Sequence, residues 1–293
     1  MPRARANGMQ IEYETFGDSG DPPLLLVMGL GGQMILWPDE FCQALAALRH
    51  HVVRFDNRDV GLSTKLDSAG LPDVMGALSA AAQARPIDAP YRLRDMADDA
   101  AGLLDALDLG PAHVVGASMG GMIAQTLAIE HPARVRTLTS IMSTTGDASL
   151  PQARPEAMAA LLTPAPTERA AAIEHGVRLW RTIGSPGFPF DESWVRARAA
   201  LAFDRGQSPA GVARQLVAIL ASGSRRASLA AVRAPTLVIH GAADPLIPVE
   251  AGRATAAAVP GAELLEIDGM GHDLPRALWS TLVDAIAKHA ARA

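Results

Sequence analysis

The sequence has little with which to fasten itself covalently: it carries one cysteine, Cys42, in 293 residues. No internal disulfide can form, and a reducing compartment is permitted. Aromatic residues are scarce, at 4%, and the abundant alanine reads as compositional bias. Clustered positive charge is missing too. The formal net charge is −5, and no run of lysine and arginine is long enough for a phosphate-binding footprint. The pair Arg225–Arg226 is expected in a solvated loop. No apolar stretch approaches the roughly 18 residues that would span a bilayer. The opening "MPRARANGMQIEYETFG" has two arginines with no apolar segment behind them, unlike a secretory signal. Nothing repeats at a solenoid period. These absences point to a cytoplasmic protein that binds neither nucleic acid nor membrane.

What is present is an ordinary globular composition, 49% hydrophobic and 19% charged, in a chain long enough to bury a large core. Cys42 lies in the helix-like "DEFCQALAALR" and is expected in that core. Strand-like and helix-like segments alternate. "QIEYETFG", "PPLLLVMG", "HVVRFDNR", "AHVVG", "RTLTSIM", "PTLVIHG" and "AELLEID" read as strands. The unbroken apolar run of "PPLLLVMG" suits a strand buried on both faces. In "YRLRDMADDAAGLLDALDLG", Leu93, Met96, Ala100, Leu103, Leu104 and Leu107 share one helical face. Asp95, Asp98, Asp99, Asp105 and Asp108 are expected on a solvated one. Such alternation implies a mainly parallel sheet covered by helices on both faces. From about Ser143 to Arg233 no buried strand is apparent, only helical patches between Pro- and Gly-containing loops. That region reads as a helical insertion over the carboxyl edge of the sheet, where ligands bind in open α/β folds.

The segment "HVVGASMGG" places Gly116-x-Ser118-x-Gly120 between a strand and a helix. A serine hydroxyl needs a base within reach and a pocket for the oxyanion. A sharp strand-to-helix turn presents such a serine, and small flanking residues keep the turn from clashing. Its partners are expected after later strands. Asp244 follows "PTLVIHG", and His272 follows "AELLEID". The order Ser, Asp, His suits a triad in which His272 moves the proton and Asp244 orients the imidazole. Asp147 is the reserve acid. Asp268 and Asp273, in the histidine's own loop, are poorly placed for that role. The oxyanion donors expected are the backbone N–H groups of Met119 and of Leu30, in the "GLGG" that follows "LLLVM".

At these motifs the chain resembles the α/β-hydrolases from end to end. The carriers are "LLLVMGLGGQMILWPDEF", "VVRFDNRDVGLST", "HVVGASMGGMIAQTLAIEHP", "PTLVIHGAADPLIP" and "IDGMGHDLP". Within that superfamily it is most similar to the group containing aclacinomycin methylesterase and related bacterial carboxylesterases. "LLLVMG" followed by "WPDEF" is the most specific part of the likeness. The resemblance implies an α/β-hydrolase fold: a mostly parallel sheet of about eight strands flanked by helices, with an inserted helical cap. The core would be residues 1–142 and 234–293, and the cap residues 143–233. It also implies a serine carboxylic-ester hydrolase that needs no cofactor or metal, with Ser118, Asp244, His272, Leu30 and Met119 in the roles above. Many relatives have His-Gly where this chain has Met28–Gly29, a change that leaves a backbone donor in place. The partner expected is a small or medium-sized ester, and self-association is left open.

Other features have plainer readings. Asp56, Arg58 and Asp59 are expected to pin a turn. His50–His51 lacks the ligand spacing of a metal site and should open a strand. Trp37, Trp180, Trp194 and Phe188 are candidates for an acyl pocket, with packing as the default. A dinucleotide-binding oxidoreductase would need Gly-x-Gly-x-x-Gly, and Met34 stands where Gly29 and Gly31 require a third glycine. A catalytically silent binding protein would leave the triad unexplained. Methylesterase, lactonase, perhydrolase and carbon–carbon bond hydrolase chemistry remain alternatives on the same scaffold.

Overall fold

Short apolar runs build the sheet. In the computed structural model, which describes residues 2–293, the strands are β1 (Arg3–Ala6), β2 (Met9–Phe16), β3 (Pro23–Val27), β4 (His51–Phe55), β5 (Ala112–Ala117), β6 (Val135–Ile141), β7 (Thr236–Gly241) and β8 (Glu263–Ile267). They form one sheet in the order β1-β2-β4-β3-β5-β6-β7-β8. β2 is antiparallel to β1 and β4, and the remaining pairs are parallel. The expected mostly parallel eight-stranded sheet is therefore present. β1 was not apparent in the sequence, because "RARA" is a half-exposed edge strand with no apolar run. It is held by pairing with β2 and by a salt bridge from Arg3 to Glu12.

The helices are α1 (Asp39–Ala47), α2 (Val74–Ala82), α3 (Leu93–Ala106), α4 (Met119–Glu130), α5 (Pro155–Leu162), α6 (Arg169–Ile183), α7 (Glu192–Arg205), α8 (Pro209–Ser222), α9 (Arg226–Leu229), α10 (Val249–Ala258) and α11 (Trp279–Ala290). α3 and α4 cover one face of the sheet, against Leu25, Val27, Val53 and Val114. α1 and α11 cover the other, against Leu24, Leu26, Val52 and Val115. This alternation along β3 explains its unbroken apolar run, since each leucine is needed on one face or the other. Burying each contributes about 1.5–3 kcal/mol. Cys42 is wholly buried in α1, as expected, and burial pushes its thiol up to about 12. Among the described residues no helix is long and apolar enough to cross a membrane.

Between β6 and β7 the chain forms α5 to α9 and, among the described residues, no strand. Two expectations from the sequence fail in this fold. Asp99 is not on a solvated face. It is buried, and accepts hydrogen bonds from Arg58 Nε at 2.6 Å and Nη2 at 2.7 Å. Its α3 position flanks the apolar stripe and faces the loop after β4, whose arginine the periodicity of α3 could not reveal. Arg225 is likewise buried, just before α9, while Arg226 is exposed.

Candidate active site

The parallel register sets the site. Val27 of β3 lies beside Gly116 of β5, and Ala117 beside Ile141 of β6, so three strand ends form one rim. At that rim Ser118 joins β5 to α4 with φ 57° and ψ −121°. A non-glycine residue there is strained. The turn is held by the Ser118 N–H, which donates to Ile141 O at 2.9 Å. Ser143 Oγ also donates to Ser118 O at 2.8 Å. The flanking glycines are steric requirements. A Cβ on Gly116 would stand 2.1 Å from Gly120 O, and one on Gly120 would stand 2.1 Å from Val27 O.

Asp244 follows β7. Its Oδ1 accepts the N–H groups of Leu246 at 2.9 Å and Ile247 at 2.8 Å. This pins the carboxylate so that Oδ2 faces His272 Nδ1 at 2.7 Å. His272 Nε2 lies 2.9 Å from Ser118 Oγ. Both Asp244 and His272 are buried. With the carboxylate holding the proton on Nδ1, Nε2 is the free acceptor for the serine hydroxyl. The histidine loop is anchored at the end of α6, where His272 N–H donates to Ile183 O at 2.7 Å, and just beyond it, where Gly271 N–H donates to Ser185 Oγ at 2.8 Å. Ser185 in turn hydrogen-bonds Asp273, and among the described residues Asp273 makes no hydrogen bond to the imidazole. Burial raises the Asp273 carboxyl, against the hydrogen bond from Ser185. Asp147, the reserve acid, accepts from Ser149 and pairs with Arg226 at 2.9 Å. Hydrogen bonds from Ser149, then from Arg226, hold it down at about 2.

The loop after β3 lies against the serine: a Cβ on Gly29 would be 3.0 Å from Ser118 Cβ. Within this loop Gly31 N–H donates to Gln215 Oε1 at 2.8 Å and Gly32 N–H to Gly29 O at 3.1 Å. Among the described residues the N–H groups of Leu30 and Met119 have no acceptor, leaving two backbone donors beside Ser118. Gln215 Nε2 also donates to Arg58 O at 2.8 Å. Sequence reasoning missed Gln215, although it is the lone uncharged polar side chain within the apolar pattern of "GVARQLVAILA".

Asp56, Arg58 and Asp59 do pin the turn after β4, with partners from distant segments. Asp56 accepts from Met34 N at 2.7 Å and pairs with Arg205 of α7 at 2.6 Å. Asp59 pairs with Arg214 of α8 at 2.6 Å, both wholly buried, and accepts from Tyr91 Oη at 2.8 Å. Burial alone would raise the Asp59 carboxyl. Hydrogen bonds from Arg214, the Leu66 N–H and Tyr91 outweigh it and hold the carboxyl below its ordinary value. His51 opens β4, as expected.

Ser118 and Leu30 stand in the wall of a cleft of about 930 Å³ whose apolar sides include Leu78, Met122, Met158, Leu216 and Ile219. None of the four aromatic candidates lines it. Trp37 is wholly buried, with its ring centroid 5.6 Å from that of Phe41. Trp194 meets Trp279 edge-on at 6.2 Å, and Phe188 packs on the α1/α11 face of the core. Trp180 lies on α6. The cleft is walled instead by aliphatic residues of α2, α5 and α8.

Comparison with known proteins matches residues 22–275 to the model of the alpha/beta hydrolase fold. The chain is 34% identical over 297 residues to rhodomycin D methylesterases from a Streptomyces species and from Streptomyces peucetius, covering 94% of this chain and 93% of each of those. The likeness to the methylesterase group found in the motifs thus runs through nearly the whole chain. Among solved structures, the enol-lactonase from Burkholderia xenovorans superposes with a TM-score of 0.73 at 22% identity, covering 99% of this chain and 100% of that one.

Proposed function

Because the chain belongs to the α/β-hydrolase fold family, we propose that it is a carboxylic-ester hydrolase that works through an acyl-serine. The observation that carries this is the continuous path from Ser118 Oγ to His272 Nε2, 2.9 Å, and from His272 Nδ1 to Asp244 Oδ2, 2.7 Å. The methylesterase activity named for the two Streptomyces relatives supports the same reading.

In this mechanism Ser118 Oγ attacks the ester carbonyl as His272 takes its proton. The N–H groups of Leu30 and Met119 receive the oxyanion. Asp244 keeps the imidazole in the productive tautomer and stabilises its charged form. His272 then protonates the departing alcohol, activates a water against the acyl-serine, and returns the proton to Ser118. The helices α5 to α9, residues 143–233, act as the cap, with the core in residues 1–142 and 234–293. The cleft under them selects the substrate, and its volume of about 930 Å³ suits the larger end of the small to medium esters expected from the sequence. A dinucleotide reading is disfavoured at the glycine loop, where the Gly31 N–H that a pyrophosphate would need is taken by Gln215.

The test is labelling by a fluorophosphonate followed by peptide mapping, with turnover of p-nitrophenyl esters by the wild type and Ser118→Ala. The expected result is a single adduct on Ser118 and a variant at the background rate. A variant that keeps most of the turnover would overturn the reading.

A further inference from the structure

Arg225 is a buried cation without a counter-ion. Its guanidinium donates to Gln125 Oε1 at 3.2 Å, to Gly223 O at 3.2 Å and to Thr144 O at 2.9 Å, all neutral acceptors. A guanidinium has five N–H bonds, so two remain without a partner. Among the described residues no carboxylate forms a salt bridge with it. Burial lowers its pKa to about 10, which leaves it charged at neutral pH. Taking a charge out of water is costly unless something opposite in sign meets it.

Arg225 lines the same cleft as Ser118. Arg85 and Arg92 line it as well, again without a salt bridge among the described residues. The one acidic residue in the wall, Asp147, is already paired with Arg226. A protein of formal net charge −5 therefore keeps three uncompensated guanidinium groups around one concave surface. Such a cleft concentrates anions. Gln125, which touches Arg225, lies seven residues along α4 from Ser118, a rise of about 10 Å. Met122, between them on the same helix, is part of the cleft wall.

We propose that the cleft takes esters that carry a carboxylate at the end remote from the scissile bond, with Arg225 as its partner and Arg85 and Arg92 guiding it in. This rests on the ester-hydrolase reading and narrows it to half-esters of dicarboxylic acids, or esters of similar shape, with an apolar spacer between ester and anion. The competing account is that Arg225 only clamps the loops of Thr144 and Gly223.

The experiment compares kcat/KM on paired series with the full chain. One pair sets p-nitrophenyl half-esters of dicarboxylic acids, from succinate to sebacate, against p-nitrophenyl esters of monoacids of equal length. The other sets butyrate esters of ω-hydroxy acids against butyrates of the matching n-alcohols. The expected result is a preference of at least about tenfold for the charged member of one pair at some chain length, carried mainly by KM. In Arg225→Gln that ratio falls toward one, and Arg225→Lys keeps part of it. Equal losses on charged and neutral esters in Arg225→Gln would establish the clamp and overturn the proposal, as would no preference in either pair. Should Arg225→Gln fail to fold, competition by free adipate, suberate and sebacate against a neutral ester in the wild type decides, and absence of competitive inhibition sinks the proposal. If no ester of any kind is cleaved, the ester-hydrolase reading fails separately. Calorimetric titration with the same dicarboxylates then still reports on the anion site, and no binding overturns it.

Discussion

Gln215, on α8, accepts the N–H of Gly31, in the loop after β3, at 2.8 Å. Its amide also donates to Arg58 O at 2.8 Å, so one buried side chain ties a helix outside the sheet to two loops at the sheet's rim. With the Gly31 N–H engaged, the loop conformation that leaves the Leu30 N–H free beside Ser118 is fixed before substrate arrives. Preorganised donors of this kind matter most when charge develops in the transition state. Gln215→Leu should lower kcat by roughly 10- to 100-fold with little change in KM. Gln215→Glu, which still offers an acceptor to Gly31, should recover part of the loss. Steady-state kinetics on one ester, with a melting curve for each variant, checks this. Equal effects of Leu and Glu on kcat would count against a role through Gly31.

The paired contacts of Asp244 allow a sharper substitution than deletion. In Asp244→Asn the side-chain oxygen can still accept from Leu246 and Ile247, while the amide presents N–H to His272 Nδ1 and favours the wrong tautomer. The expected loss in kcat is about 10⁴ with the fold intact. Activity measured beside near-ultraviolet circular dichroism decides it, and a folded variant within tenfold of wild type would remove Asp244 from the mechanism.

Asp59 and Arg214 form an ion pair with both side chains wholly buried. Removing one partner leaves the other charged in a place without water, at a cost of about 3–5 kcal/mol. Arg214→Met should therefore destabilise the protein by that order in urea unfolding. Asp59→Asn should cost less than Arg214→Met, because Arg214 keeps a second carboxylate, Asp67 Oδ1 at 3.5 Å, and the Gly70 O acceptor at 2.7 Å. If both variants unfold at the wild-type urea midpoint, the pair contributes nothing measurable.

Much of this arrangement was legible in the residue order, for local reasons. The run Leu24–Val27 announces a strand covered on both faces. The spacing of Gly116, Ser118 and Gly120 announces a turn too crowded for side chains, as the 2.1 Å approach of a Gly120 Cβ to Val27 O makes concrete. Asp244 and His272 were recognisable because each follows a strand-like run by a few residues, the buried β7 for Asp244 and the half-exposed β8 for His272. What was hidden depends on contacts between segments far apart in sequence. Asp99 reads as solvated until Arg58 meets it, and Arg225 reads as a loop residue until Thr144 and Gln125 surround it. Gln215 carries no local sign of the loop it holds. The aromatic residues misled in the opposite way, since size suggests a pocket wall while Trp37 in fact fills the core.

His113 supplies a test of acid stability. Its ring is buried on β5, with Nδ1 3.0 Å from Thr137 Oγ1 and its edge toward His50. Burial, aided by the nearby charge of Arg136, pulls its pKa from 6.5 down to about 4. Between those values the unfolded chain binds a proton that the folded chain refuses, so stability is full above about pH 6.5 and is lost as pH falls toward 4. The span amounts to about 3 kcal/mol from this one residue. His50, His240 and His289, each lowered chiefly by burial, act in the same direction. Urea unfolding from about pH 7.5 to about pH 4.5 should show a declining free energy in the wild type and a shallower decline in His113→Asn, whose amide does not titrate in this range. Comparing the two curves removes the background from carboxylates, which is common to both. Parallel curves would mean that His113 takes up its proton in the folded state as readily as in the unfolded one.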